Sequence, residues 1–122
     1  MPLQMRLCAI TLDCSDPLAL AAFYQQATGL EPHPKSDVNF AGLNCEDGLF
    51  IGFQRVDDYR PPRWPDQTVP QQSHLDFAVD DLDEAETRLL ELGASKPDHQ
   101  PNDNRWRVLT DPAGHPFCLV RG

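Results

Sequence analysis

His74 and Asp76 stand two positions apart in a segment that alternates polar and apolar side chains. A strand there turns both to one face. An imidazole titrates near neutrality, so a histidine in such a place has three readings. It hydrogen-bonds a ligand, it pairs structurally with Asp76 or the backbone, or it acts as a general base. Cys118 lies in the last apolar segment. It is either a small filler, the common fate of a free thiol, or a nucleophile, which needs a nearby base and partial exposure. Gln54, in an earlier strand-like run, adds an amide. The acidic run Asp80-Asp81-Leu82-Asp83-Glu84 needs no metal to explain it, because acids suit the positive end of a helix.

The elements that position these residues follow from pattern and punctuation. Leu7 to Cys14 alternates as a strand. Asp16 caps a helix that Pro17 opens and Gly29 ends, so the spacing predicts a helix from about Pro17 to Thr28. Val38 to Leu43 and Leu49 to Arg55 read as strands around an Asp47-Gly48 turn. Leu49, Ile51 and Phe53 line one face of the second strand, with Phe50, Gly52 and Gln54 on the other. Val56 to Gln72 carries Pro61, Pro62, Pro65 and Pro70, a density no helix or strand interior accepts, and reads as a linker holding Trp64. His74 to Val79 is a strand. A helix follows through Leu92 with Gly93 as its stop, then a polar loop from Asp98 to Asn104. Strands at Trp106 to Thr110 and Phe117 to Arg121 flank an Asp111-Pro112-Ala113-Gly114 turn.

The halves repeat. Sliding the chain until Ile10 lies on Leu75 also lays Leu12 on Phe77, Cys14 on Val79 and Asp16 on Asp81. With one extra residue, Ile51 falls on Phe117, Gly52 on Cys118 and Arg55 on Arg121. Such a repeat is one supersecondary unit used twice. The expectation is an α+β chain of two βαβββ modules, about 1–57 and 73–122, joined by a linker at about 58–72. They form a curved mixed sheet with helices on the outer face. The phase away from the helices lines a cavity: Ala9, Thr11, Gly52, Gln54, His74, Asp76 and Cys118. Phe50 and Trp64 are its apolar walls, and Trp106 closes its edge.

Composition bounds the partners. With 122 residues and 40% hydrophobic content the chain is one ordinary domain. A formal net charge of −9 disfavours nucleic acid. No run of ~18 apolar residues suggests a membrane span. The opening Met1 to Arg6 has no signal-peptide pattern, so a cytoplasmic location is expected. Cys8, Cys14, Cys45 and Cys118 form no C-x-x-C pair and are expected to be reduced, with Cys8 and Cys14 in the core. His33 and His99 are expected to be solvated in loops, and His115 to support the turn before it.

Ile10 to Pro17 with Phe23-Tyr24, His74 to Leu82, and Asp111 to Phe117 resemble, in order, the module openings and closing turn of the vicinal-oxygen-chelate superfamily. That superfamily includes glyoxalases, bleomycin-resistance proteins and extradiol dioxygenases. Phe53-Gln54-Arg55 and Pro62-Arg63-Trp64-Pro65 resemble a bacterial glyoxalase-like subgroup. The resemblance implies a homodimer. In the enzymes it implies one divalent metal, held by residues at positions matching Ala9, Gly52, His74 and Cys118 and acting as a Lewis acid. Ala9 and Gly52 offer no ligand atom, so His74 is the residual metal candidate. The resulting expectation is a small-molecule-binding protein without a metal, its ligand contacted by Gln54, His74, Asp76, Cys118, Phe50 and Trp64. The alternatives are a metal-dependent lyase or dioxygenase, and a non-catalytic dimeric accessory module centred on Trp64.

Overall fold

The computed structural model describes residues 3–122 and divides into two compact units, one ending at Tyr59 and the other beginning at Arg60. In the first, β1 (Ala9–Cys14) leads to α1 (Pro17–Thr28), β2 (Glu31–Pro32), β3 (Phe40–Asn44) and β4 (Phe50–Arg55). Asp16 accepts the Ala19 N–H at 3.1 Å, Pro17 occupies the first turn, and Gly29 closes the helix at φ 74°. The sheet order is β1-β4-β3-β2, with β1 parallel to β4 and the other pairs antiparallel. The turn between β3 and β4 carries Gly48 at φ 88°, where a side chain would be strained, and Asp47 accepts the Leu49 N–H. Leu12, Leu20, Phe23, Leu43 and Phe53 are buried between helix and sheet, and Phe53 stacks on Tyr24 at 5.6 Å.

The second unit contains β5 (Leu75–Val79), α2 (Leu82–Leu92), β6 (Trp106–Thr110) and β7 (Pro116–Arg121), with sheet order β5-β7-β6. Asp81 caps α2 by accepting the Glu84 N–H, Asp83 and Glu84 fill its first turn, and Gly93 ends it in the left-handed region. The acidic run therefore serves the helix start. The second strand of the βαβββ plan shrinks here to one bridge between Ser95 and Thr110. Otherwise the two registers correspond. Thr11 faces Gly52 in the first unit, and Asp76 faces Cys118 in the second, across parallel pairs. The chain thus has the α+β fold of two related modules.

Two readings of small residues are corrected. Cys14 is buried, but Cys8 is exposed, because it precedes β1 and lies outside the sheet's packed segment. His33 is half-buried rather than solvated. Its Nδ1 accepts the Lys35 N–H at 3.1 Å, and its ring meets Phe50 edge-on at 5.5 Å.

Candidate functional site

The period of two along β5, β7 and β6 sorts the second unit's side chains onto two faces. Phe117, Leu119 and Leu109 are buried, and Phe77 meets Phe117 edge-on at 5.9 Å. The opposite phase carries Asp76, Cys118, Val108, Val120 and Trp106. Asp76 is the cross-strand partner of Cys118, Cys118 of Val108, and Val120 of Trp106. These residues, with His74 just before β5 and Pro116 at the start of β7, line a cavity of about 490 Å³. Its rim is Trp64, Gln71 and Pro101. That volume is in the range of small-molecule sites.

Local chemistry fixes the rim. The Arg63 N–H bonds to the Val69 carbonyl at 2.7 Å, and Asp66 accepts the Thr68 N–H at 2.7 Å, so the proline-rich segment closes into a compact loop that presents Trp64. The Trp64 ring lies 5.3 Å from that of His99. The same segment is anchored at Pro61, whose Cβ would stand 2.8 Å from a Cβ added at Gly114. Pro101 is placed by Gln100, whose side chain both donates to the Val108 carbonyl (2.9 Å) and accepts the Val108 N–H (3.0 Å). It supplies β6 with the bonding a neighbouring strand would give. His115 supports its turn as expected. Its N–H reaches the Asp111 carboxylate, and its carbonyl accepts the Asp111 N–H, both at 3.0 Å.

At the floor, His74 Nε2 lies 3.4 Å from Asp76 Oδ1. Ligand-capable atoms of His74, Asp76 and Cys118 all fall within 4.8 Å of one another. Burial pushes the Cys118 thiol up to about 11, helped by the Asp76 charge and by its hydrogen bond to that carboxylate. At neutral pH it is a protonated thiol, which argues for its role as a filler and polar contact rather than a nucleophile.

Of the expected site residues, Trp64, His74, Asp76 and Cys118 line this cavity, and Trp106 joins them. Gln54 and Phe50 belong to the first unit. Gln54 is exposed at the end of β4. The Phe50 ring stacks on Phe40 at 6.0 Å and lies over Gly42, where it occupies the space of a missing Cβ. Gln71 and Pro101 were missed because they sit in irregular, proline-containing segments where no periodicity assigns a face.

The chain matches the glyoxalase-like domain family over residues 9–120, and it belongs to that family. That family match supports the vicinal-oxygen-chelate superfamily, and the fold agrees with it. A possible glyoxalase from Bacillus cereus superposes with a TM-score of 0.70 at 18% identity, over 95% of this chain and 98% of that one. A glyoxalase/bleomycin resistance protein/dioxygenase family enzyme from Burkholderia phytofirmans PsJN gives 0.70 at 21% identity, over 96% and 98%. A fosfomycin resistance protein from Listeria monocytogenes gives 0.71 at 21%, over 98% and 93%. No curated protein matches the chain.

The divalent metal of the superfamily's enzymes does not fit this residue set. Ala9 and Gly52 carry no donor atom. The space above Gly52 is moreover filled, since a Cβ there would stand 2.6 Å from Phe40 Cζ and 3.1 Å from both Phe50 Cε1 and Thr11 Oγ1. Two of the four positions thus offer no side-chain donor, one of them beneath aromatic rings, and a thiol occupies a third. An oxygen-seeking cation requires a fuller set of hard donors.

Proposed function

We propose that the protein binds a small organic molecule in the second unit's cavity and does so without the superfamily's metal. The observation that carries this reading is the cavity itself. Two indoles, prolines and valines form its walls, and His74, Asp76, Cys118 and Gln71 converge on it as polar contacts. Apolar walls with a few directed polar groups are the usual build of a ligand pocket. The protein is proposed to act as a homodimer, on the strength of the superfamily resemblance.

A second reading has one observation in its favour. His74, Asp76 and Cys118 form a compact three-donor cluster. One structure of the Listeria fosfomycin resistance protein is of a complex with Mn(II) and a dihydroxypropylphosphonic acid. A metal-dependent lyase or dioxygenase would need such a cluster to hold its ion.

Two-dimensional NMR of the tag-free protein against a fragment collection, with Mn²⁺ and Zn²⁺ titrated in parallel, separates the two. Fragment-induced shifts concentrated on the Trp64 and Trp106 indole N–H signals support the binding protein. Stoichiometric metal binding that His74→Ala abolishes would replace it with the metal enzyme, and shifts scattered over the surface would remove the pocket reading.

A further inference from the structure

We infer that the second unit's cavity selects an organic cation bearing N–H donors, such as an amidinium, a guanidinium or a protonated amine, over neutral and anionic molecules of the same shape. The inference rests on the reading of this cavity as a small-molecule site and adds the charge of its occupant.

Four features of the lining agree. Both of the chain's tryptophans, Trp64 and Trp106, form part of the wall, and an indole face attracts a cation. Asp76 places a carboxylate at the floor, and neither Lys nor Arg lines the cavity. The group there able to become positive is His74, and it stands 3.4 Å from Asp76 and is matched by it. Lastly, Gln71 Oε1 is buried and accepts no hydrogen bond from the described residues. A buried acceptor left without a donor is costly, and a ligand N–H would satisfy it.

An anion would be repelled by the Asp76 carboxylate, the Gln71 carbonyl oxygen and the negative indole faces, and the one side chain there able to carry positive charge, His74, is already matched by Asp76. A neutral amide could reach Gln71 but would gain neither the indole attraction nor the charge of Asp76. A quaternary ammonium would gain those two and leave Gln71 Oε1 unpaired. A planar N–H cation answers all three at once, because its face stacks on an indole while its edge donates to two acceptors. Asp76 is 58% exposed, so solvent screening keeps the expected selectivity modest.

Benzamidinium, benzamide and benzoate share a shape and differ in charge, and they suit the test. Titration of the full chain is followed by calorimetry and by tryptophan emission, which reports on this cavity alone because both tryptophans line it. Benzamidinium should bind at least about threefold more tightly than benzamide, with benzoate weakest. Asp76→Asn keeps the side-chain shape and should cut the advantage of benzamidinium over benzamide to the share the indoles supply, and Gln71→Leu should weaken both. Equal binding of all three molecules would overturn the charge selectivity and leave the pocket reading standing. A preference for benzamidinium undiminished in Asp76→Asn would also overturn it, by assigning the effect to groups other than the Asp76 carboxylate. If no probe changes the tryptophan emission, the charge inference and the pocket reading fail together.

Discussion

Asp76 and Cys118 are cross-strand partners in the parallel pair of β5 and β7, and burial, seconded by the Asp76 carboxylate, holds the proton on the Cys118 thiol. The relationship follows from register. A parallel ladder sets their side chains on the same face, and neither can leave it without a slip of the whole strand. A thiol so placed behaves as a weak donor to the carboxylate and not as a thiolate.

Alkylation should therefore be slow at Cys118. A rise from the ordinary 9.0 to about 11 lowers the thiolate fraction near neutral pH about 100-fold, and iodoacetamide reacts with the thiolate. Mass-spectrometric mapping of a time course should find exposed Cys8 modified well before Cys118. Asp76→Asn removes the charge that opposes ionisation and should speed Cys118 modification several-fold. Equal rates at the two cysteines in the native protein would contradict the geometry at the cavity floor.

The same thiol makes stability fall at alkaline pH. Below about pH 9 Cys118 is protonated whether the chain is folded or not, and it contributes no pH dependence. Between about 9 and 11 the unfolded chain loses the proton while the folded chain keeps it, so the unfolded state binds fewer protons and stability decreases as pH rises. Denaturant unfolding of the native protein and of Cys118→Ala across this window should yield a smaller alkaline loss in the variant. Identical slopes would mean that the thiol is not held protonated.

Much of this was legible in the sequence, and the limits have physical causes. Asp16, Pro17 and Gly29 set α1 residue for residue, because caps and stops act locally. The repeat that lays Ile10 on Leu75 and Ile51 on Phe117 reappears as matched register, Ile10 against Ile51 and Leu75 against Phe117. Glu31–Pro32 was not legible as a strand, since two exposed residues carry no alternation. Phase could not place Trp64, because a loop has none; its place on the cavity rim is set by the backbone bond from Arg63 to Val69. The aromatic cover over Gly52 was equally hidden. Alternation gave Phe50 and Gly52 a common face but not the direction in which a ring would lie.

That cover makes Gly52 a position that resists a side chain. Gly52→Ala should destabilise the protein by about 1 kcal/mol, because the new methyl group meets Phe40 Cζ and the ring must turn aside. Phe40 is half-exposed and can yield, which keeps the cost low. In a Phe40→Ala background the penalty should shrink, and a double-mutant cycle measured by chemical denaturation reads the coupling. Additive effects would mean that the two positions do not share this space.

Asp111 is the strongest test of the closing turn. The residue is 4% exposed, and its carboxylate accepts the N–H groups of Ala113 at 2.9 Å and His115 at 3.0 Å, while its own carbonyl accepts the Gly114 N–H at 2.8 Å. Gly114 sits at φ 89°, in close contact with Pro61. Asp111→Ala leaves two backbone donors without their partner and should cost about 1–3 kcal/mol. Asp111→Asn keeps one acceptor oxygen and should cost less. The turn delivers Pro116 to the cavity wall and steadies the segment that carries Trp64, so the Ala variant should also weaken benzamidinium binding. Unfolding curves and tryptophan titrations on the same samples decide the point. A variant that loses stability but binds with native affinity would separate the turn from the site and confine Asp111 to folding.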